Sequence, residues 1–429
     1  TGQQTFVNIA DAENPAENLV GIAVSASQGA VTAHQLELRP VMRSGEVLET
    51  VPGLIVSQHS GEGKANQYYL RGFNLDHGTD FATTVAGMPV NMPSHGHGQG
   101  YSDQSFLIPE LVSGVQYSKG RYFADQGDFS TAGAANINYA SSLLRPIAHV
   151  SAGGDAYGRA LIAVSPRVGG GSLLAAFEAG QDDGPWRNPE DYRKLNGLVR
   201  FTRGNAVRGF SITGMAYHGE WNSTDQIPRR AVDEGLVDRF GALDTTDGGH
   251  SSRYSGSFDW QTTSASTSTR LTAYGIGYDL GLWSNFTFFL DDQTNGDQFQ
   301  QVDHRFVSGA KISHRRLNRW YGRPMQNTFG AQLRHDSISN GLYNTVARER
   351  LSTTGQDDMG ETSAGVYAQN EIEWTPWLRS MLGVRGDQYH FTVASDDPVN
   401  SGSKTAGIVS PKGGVVIGPF HGTEFYANA

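Results

Sequence analysis

The stretch Asn91-Met92-Pro93-Ser94-His95-Gly96-His97-Gly98-Gln99-Gly100-Tyr101 holds the residue types best suited to chemistry. Its two imidazoles stand one residue apart on a backbone made pliable by glycine. Such a loop can turn both rings toward one ion, and neutral imidazole binds zinc or copper. His59 and His77 fall in neighbouring segments, so the candidate ligand or metal set is His95, His97, His59 and His77. The plainer alternative is a loop whose glycines permit unusual backbone angles and whose histidines hydrogen-bond to nearby carboxylates or carbonyls. The sequence leaves both readings open.

Other chemistry is thin. Lys64-Ala65-Asn66 follows Gly61-Glu62-Gly63 but lacks the Gly-Lys-Ser/Thr that opens a helix in a phosphate-binding loop. Asp182-Asp183 and Asp291-Asp292 are candidates for calcium or a cationic ligand, although paired acids in a loop are usually only solvated. No nucleophile elbow, zinc-protease pair or ordered Ser/His/Asp set is present. The absence of cysteine removes disulfides, thiolate metal sites and cysteine catalysis. An enzyme is not expected, and no cofactor is required. A net charge of -10 gives no counterion-release drive toward nucleic acid.

The elements that must hold these residues are mostly strands. The 429 residues include 54 Gly and are 38% apolar and 18% charged, a composition that favours strands and turns over helices. The longest apolar runs, such as Leu19 to Val24, fall far short of the ~20 residues a spanning helix needs, which leaves a membrane β-barrel open. Residues 1–35 read as a flexible arm and 36–142 as a small α+β domain, with a short helix at Val41 to Thr50 ended by Val51-Pro52-Gly53.

From residue 143 to 429 the chain alternates. Ala160, Ile162 and Val164 share one face of a strand, and Leu173, Ala175, Phe177 and Ala179 do so opposite Glu178. About thirteen such segments can be counted, more than an open sheet holds before it curls or closes. Connections near 181–195, 219–250, 281–300, 338–361 and 393–406 are long. Those near 166–171, 204–207, 262–264, 375–376 and 419–422 are short, with 314–325 the exception. Such parity is expected of an outer-membrane barrel with short periplasmic turns and long extracellular loops. Tryptophans in Trp374-Thr375-Pro376-Trp377 suit a membrane interface. Arg200, Glu178, Arg385 and Asp387 would face inward, toward water or a polar plug. An odd strand count and an end in mid-strand at Ala429 lead us to expect a C-terminally incomplete barrel.

Residues 53–132 resemble a known family. Gly53-Leu54-Ile55-Val56, Ala65-Asn66-Gln67-Tyr68-Tyr69-Leu70-Arg71-Gly72-Phe73, Val85-Ala86-Gly87-Met88-Pro89-Val90 and Val115-Gln116-Tyr117-Ser118-Lys119-Gly120 resemble, in order and spacing, the plug of TonB-dependent outer-membrane receptors. Leu70, Arg71, Gly72, Lys119 and Gly120 match the plug motif. Ala86 and Arg121 depart from the Asp and Pro common there. The resemblance implies an all-β, antiparallel transmembrane barrel with about 13 of 22 strands present, and an N-terminal α+β plug.

It further implies a TonB box, for which Leu19, Val20, Gly21, Ile22, Ala23 and Val24 are the candidates. Such a box adds as an extended strand to a TonB-type periplasmic energising protein. The expected protein is a monomeric barrel in outer-membrane lipid of a Gram-negative bacterium. It takes up a small extracellular ligand, an iron-siderophore complex first and zinc or copper second, as cargo. A passive porin-like channel and a soluble β-rich binding protein are the rival classes.

Overall fold

The computed structural model describes residues 28–58, 61–205 and 207–429. The histidine His59 and the segment Leu19 to Val24 lie outside these described residues.

The first unit contains β1 (Gln28–Thr32), β2 (Leu54–Ser57), β3 (Gln67–Leu70), β4 (Phe73–Asn74), β5 (Phe81–Val85), β6 (Met88–Pro89), β7 (Val112–Lys119) and β8 (Gly133–Tyr139). One sheet has the order β1-β7-β8-β5-β6 and a second the order β2-β3-β4. The span read as a flexible arm is therefore structured at its end. β1 pairs with β7 from Gln28↔Ser118 to Thr32↔Gly114, and α1 (Ala33–Glu37) follows. Thr32 caps α1 by accepting from the Gln35 N–H while Gln35 Oε1 accepts from the Thr32 N–H. The short helix expected at Val41 to Thr50 is a 3-10 turn over Ser44–Thr50. Gly53 after it takes φ 87°, a left-handed angle that glycine adopts without a Cβ clash.

The barrel strands are β9 (Ile147–Ala152), β10 (Gly158–Val164), β11 (Arg167–Val168), β12 (Gly171–Asp182), β13 (Tyr192–Gly204), β14 (Arg208–Asn222), β15 (Gly248–Thr263), β16 (Thr267–Ser284), β17 (Phe299–Trp320), β18 (Arg323–Val346), β19 (Glu349–Thr375), β20 (Leu378–Ser395), β21 (Gly402–Phe420) and β22 (Thr423–Asn428). They form one 14-stranded sheet in which neighbours in the main path follow chain order from β9 to β22, with β11 beside β12. Period-two alternation explains its two faces. On β14, Ser211, Thr213, Met215, Tyr217 and Trp221 are buried, while Ile212 between them is 53% exposed. Phe258, Phe306, Ile312, Leu333, Val366 and Leu382 also point outward, an apolar band on the outer wall. Glu178, Asp303, Arg305, Asp336 and Arg385 are buried on the inner wall, as parity led us to expect for Glu178 and Arg385.

The first unit lies against that inner wall. Its core residues Leu48, Phe81, Val85, Met88, Leu107, Leu111, Val115 and Ile137 are continuous with Leu161, Leu174, Leu198, Met215, Ile276 and Val307 of the barrel. It is a plug, and burial of both apolar sets holds it in place.

One end of the sheet carries the long connections 183–191, 223–247, 285–298 and 396–401, and the other carries two- or three-residue turns after β13, β15, β17, β19 and β21. Residues 338–361, read from the sequence as a loop, are instead the paired ends of β18 and β19, joined by Ala347 and Arg348 alone. The 27 residues of β19 far exceed the ~9–11 a strand needs to cross a bilayer, so this hairpin is longer than one crossing requires.

Candidate functional site

Loop 91–101 starts from a fixed neck. Asn91 donates to the carbonyls of Gly78 and Phe81 and accepts from the Thr83 N–H at 2.7 Å, and Met92 and Tyr101 form an antiparallel bridge. The tip then lies on the inner faces of β17, β18 and β19. Asp303 accepts from the Gly96 N–H at 3.0 Å, and Gln301 donates to the Gly96 carbonyl at 2.8 Å. Arg305 donates to the carbonyls of Pro93 and Ser94, Asn340 donates to Ser94, and Arg334 donates to Asn91. The Ser94 hydroxyl pairs with Glu361. A Cβ on Gly96 would stand 2.8 Å from the Val302 carbonyl, so glycine is what allows this approach.

Beneath the loop, Arg305 pairs with Asp303 and reaches Asp336 at 3.5 Å, while Arg334 pairs with Asp336 at 2.6 Å. These charges sit away from water and are tolerable only because each is paired and hydrogen-bonded.

His77, His95 and His97 each have an assigned place. His95 is buried and stacks on Tyr101 with ring centroids 4.1 Å apart. Its Nδ1 accepts from the His97 N–H, which leaves the proton on Nε2, 3.8 Å from Asp303. Nε2 has no hydrogen-bond partner. Burial, aided by Arg305 and His77, drops the His95 pKa to about 3. His97 bonds Gln301 through Nδ1 at 2.7 Å, and burial with Lys64 and His77 likewise drops it to about 3. His77 faces the Ala65 carbonyl at 2.9 Å, with its ring 4.9 Å from His97; burial lowers its pKa as well. At neutral pH all three are uncharged. Among the described residues no group of three or more His, Asp or Glu side chains converges in a way that could hold a metal ion.

A second clamp joins plug to wall at residues 123–130. Gln369 accepts from the Ala124 N–H at 2.9 Å, and Gln332 donates to the Asp125 carbonyl. Arg385, paired with Asp387 at 2.7 Å, lies against Gly127. Between plug and wall, on the short-turn side of the histidine loop, lies a cavity of about 640 Å³ whose lining includes Gln28, Gly29 and Ala30 of β1 with Arg270, Lys311 and Arg315. A smaller one of about 170 Å³ is lined by Ala30 and Val31 of β1 with Arg200, Asp259 and Arg270. β1 therefore borders both.

The plug-motif residues have structural roles. Leu70 is buried, Arg71 and Gly72 make the turn from β3 to β4 with φ 53° and 85°, and Gly120 closes β7 by donating to the Ala132 carbonyl at 2.7 Å. Sequence reading found the loop but missed its wall-side partners Gln301, Asp303, Arg305, Arg334, Asn340 and Glu361. Charged residues with inward parity, the signal that picked out Arg385 and Glu178, would have found several of them.

The family model of the TonB-dependent Receptor Plug Domain matches residues 21–134, and that of the TonB dependent receptor-like β-barrel matches residues 180–429. Among solved structures, the ferric citrate transporter FecA in its unliganded form aligns at TM-score 0.75 and 12% identity, over 94% of this chain and 62% of that one. The siderophore receptor PiuA from Acinetobacter baumannii aligns at 0.72 and 15%, over 94% and 64%. The copper transporter OprC aligns at 0.70 and 15%, over 96% and 63%. The chain thus spans somewhat under two thirds of the length of each of these neighbours, and identities this low establish the shared fold alone.

Proposed function

Because the chain belongs to the TonB-dependent receptor family, which is a receptor family and not an enzyme family, we propose that it serves energy-coupled uptake of a scarce small ligand across the outer membrane of a Gram-negative bacterium. The cargo we assign first is an iron-siderophore complex, in keeping with the ferric citrate and siderophore neighbours.

The observation that carries this reading is the position of β1. It is the N-terminal edge strand of the plug sheet, held to the rest by one partner, β7, and it borders both cavities beside the wall. Leu19 to Val24 lie ahead of it in the chain, separated by three residues. A periplasmic protein that pairs with that segment and pulls would load β1 first. Peeling β1 from β7 would join the two cavities along the inner faces of β13 to β19 while the clamps at 91–101 and 123–130 still hold the remainder. A plugged lumen blocks passive flow, so the energising partner must supply the free energy that shifts the plug between states. A passive porin offers no role for these two clamps.

Deleting residues 18–24 tests the mechanism. Uptake should be lost while ligand binding to whole cells is kept; uptake at the wild-type rate would reject it.

A second reading, copper or zinc as cargo, rests on the adjacent neutral rings of His77 and His97. Metal titration of the purified protein, beside His95→Ala and His97→Ala, separates the two. Equal affinity in all three proteins removes the metal reading.

A further inference from the structure

The long-loop end contains buried oxygen atoms that the uptake reading leaves unused. Asp225, in the connection from β14 to β15, is 7% exposed, and neither of its carboxylate oxygens has a hydrogen-bond partner. Two buried hydroxyls in the same region, Ser223 and Ser284, are also without partners. Burial raises the Asp225 carboxyl above the usual range, and the nearby Ser284 hydroxyl and Asn285 N–H do not meet hydrogen-bond geometry with it. The same Asn285 N–H faces the Asp247 carboxylate, so the two carboxylates converge on one donor. Three orphaned oxygens lie together, both of Asp225 and that of Ser284, and Ser223, whose N–H donates to the Asp247 carbonyl at 3.0 Å, adds a fourth in the same connection; they mark a missing partner, since buried polar groups are otherwise satisfied.

The neighbouring charges do not supply that partner. Asp244 is saturated, accepting from Thr246, from Asn285 Nδ2 at 2.9 Å and from Gln298. Arg348 commits its donors to the carbonyls of Thr246 and Asp247 and to Asn222. Lys64, from the plug, feels both Asp225 and Asp247 but forms no ion pair with either. Asp247 Oδ1 accepts from the neutral Gln298 Nε2 at 3.1 Å, which brings no positive charge.

We propose that Asp225 and Asp247, with the hydroxyls of Ser223 and Ser284, bind one hard divalent cation, calcium, at the base of the loop crown. Carboxylate and hydroxyl oxygens completed by water suit calcium, whose coordination is flexible, and exclude soft metals, since the group holds neither sulfur nor imidazole. Only two carboxylates converge here, in agreement with the absence of any three-residue His, Asp and Glu group among the described residues. Affinity of the weak extracellular class follows, on the order of 10⁻⁴–10⁻³ M. The ion would join connection 223–247 to Ser284 at the end of β16, above the plug residue Lys64. Its role is to set the crown's shape before cargo arrives, whatever the cargo is.

The test is calorimetric titration of the detergent-purified, EDTA-treated protein with CaCl2, with thermal melting as a second readout. We expect one saturable site and a higher melting temperature in CaCl2. Asp225→Asn should weaken binding at least ~10-fold, the lower end of what losing even a residue that only orients a metal ligand costs. Ser284→Ala, a smaller change that keeps the charge, should weaken it less. Lys64→Met should tighten it, because a repelling ammonium is removed. Absence of saturable heat, or equal affinity in the wild type and Asp225→Asn, overturns the proposal. So does a loss of binding in Lys64→Met, which would make Lys64 part of the fold that supports the loops and not a competitor of the ion.

Discussion

At the scale of residues, the histidine loop acts as a lock on the wall. His95 is neutral and stacked, and its protonation would place a charge in a dry site. The direction of the pH effect follows. The folded pKa of His95 and His97 is about 3, below the unfolded ~6.5, so the stability they contribute is complete above pH ~6.5. It is lost as pH falls from there toward 3, at up to ~1.4 kcal/mol per pH unit for each group. Thermal melts of the purified protein between pH 7 and 4 should show the decline. His95→Phe, which keeps a ring on Tyr101 but cannot take a proton, should make it shallower, and an unaltered slope would refute the assignment.

Arg305→Ala strands Asp303, while Asp336 keeps Arg334, and breaking such a buried pair costs ~3–5 kcal/mol. The loss should appear as faster proteolysis within 91–101 in the folded protein. The sequence made the loop visible through its composition. Asp303 and Arg305 were harder to see, because their meaning depends on a plug loop about two hundred positions earlier in the chain.

At the scale of elements, β1 decides between a moving strand and a static plug. Ala30 and Gln116 are cross-strand partners in β1 and β7, and the chain has no cysteine to complicate an engineered bridge. Directly paired strand positions fall within the Cα separations a disulfide spans. In Ala30→Cys with Gln116→Cys, uptake should stop under oxidising conditions and return on reduction, with ligand binding unchanged. Full uptake in the oxidised protein would mean that β1 stays in place during transport. This element was poorly legible in the sequence for a physical reason. Gln28-Gly29-Ala30-Val31-Thr32 is too short to show alternation, and its hydrogen bonds go to a strand more than eighty residues away. The reverse error at 338–361 has a related cause. Polar residues dominate these ends of β18 and β19 and resemble a loop by composition, while cross-strand pairing with β17 and within the hairpin keeps them extended. Segments with one face on the plug and one on the apolar band, such as β10 and β12, were read correctly because burial imposes the period.

At the scale of the whole molecule, the same alternation makes a strongly polar chain compatible with a bilayer, since lipid meets only every second side chain. That argument predicts a sharp asymmetry between the two faces of one hairpin. Leu333 on β18 is 52% exposed on the outer wall, within the band that also holds Phe306 and Ile312. Ser313 on β17 faces the 640 Å³ cavity beside Lys311 and Arg315. Leu333→Arg places a charge in hydrocarbon and should cost about 2–4 kcal/mol near the bilayer midplane, falling toward the interfaces. Ser313→Glu places one among cations in a wet lumen and should cost well under 1 kcal/mol, the scale of an ordinary polar-face substitution. Urea titration of protein folded into lipid vesicles, followed by the heat-dependent gel shift of folded barrels, measures both. Equal costs would mean that the outer band does not face lipid. A large cost at Ser313 alone would mean that the cavity is dry and packed, and the path assigned to the cargo would then have to lie elsewhere on the plug's circumference.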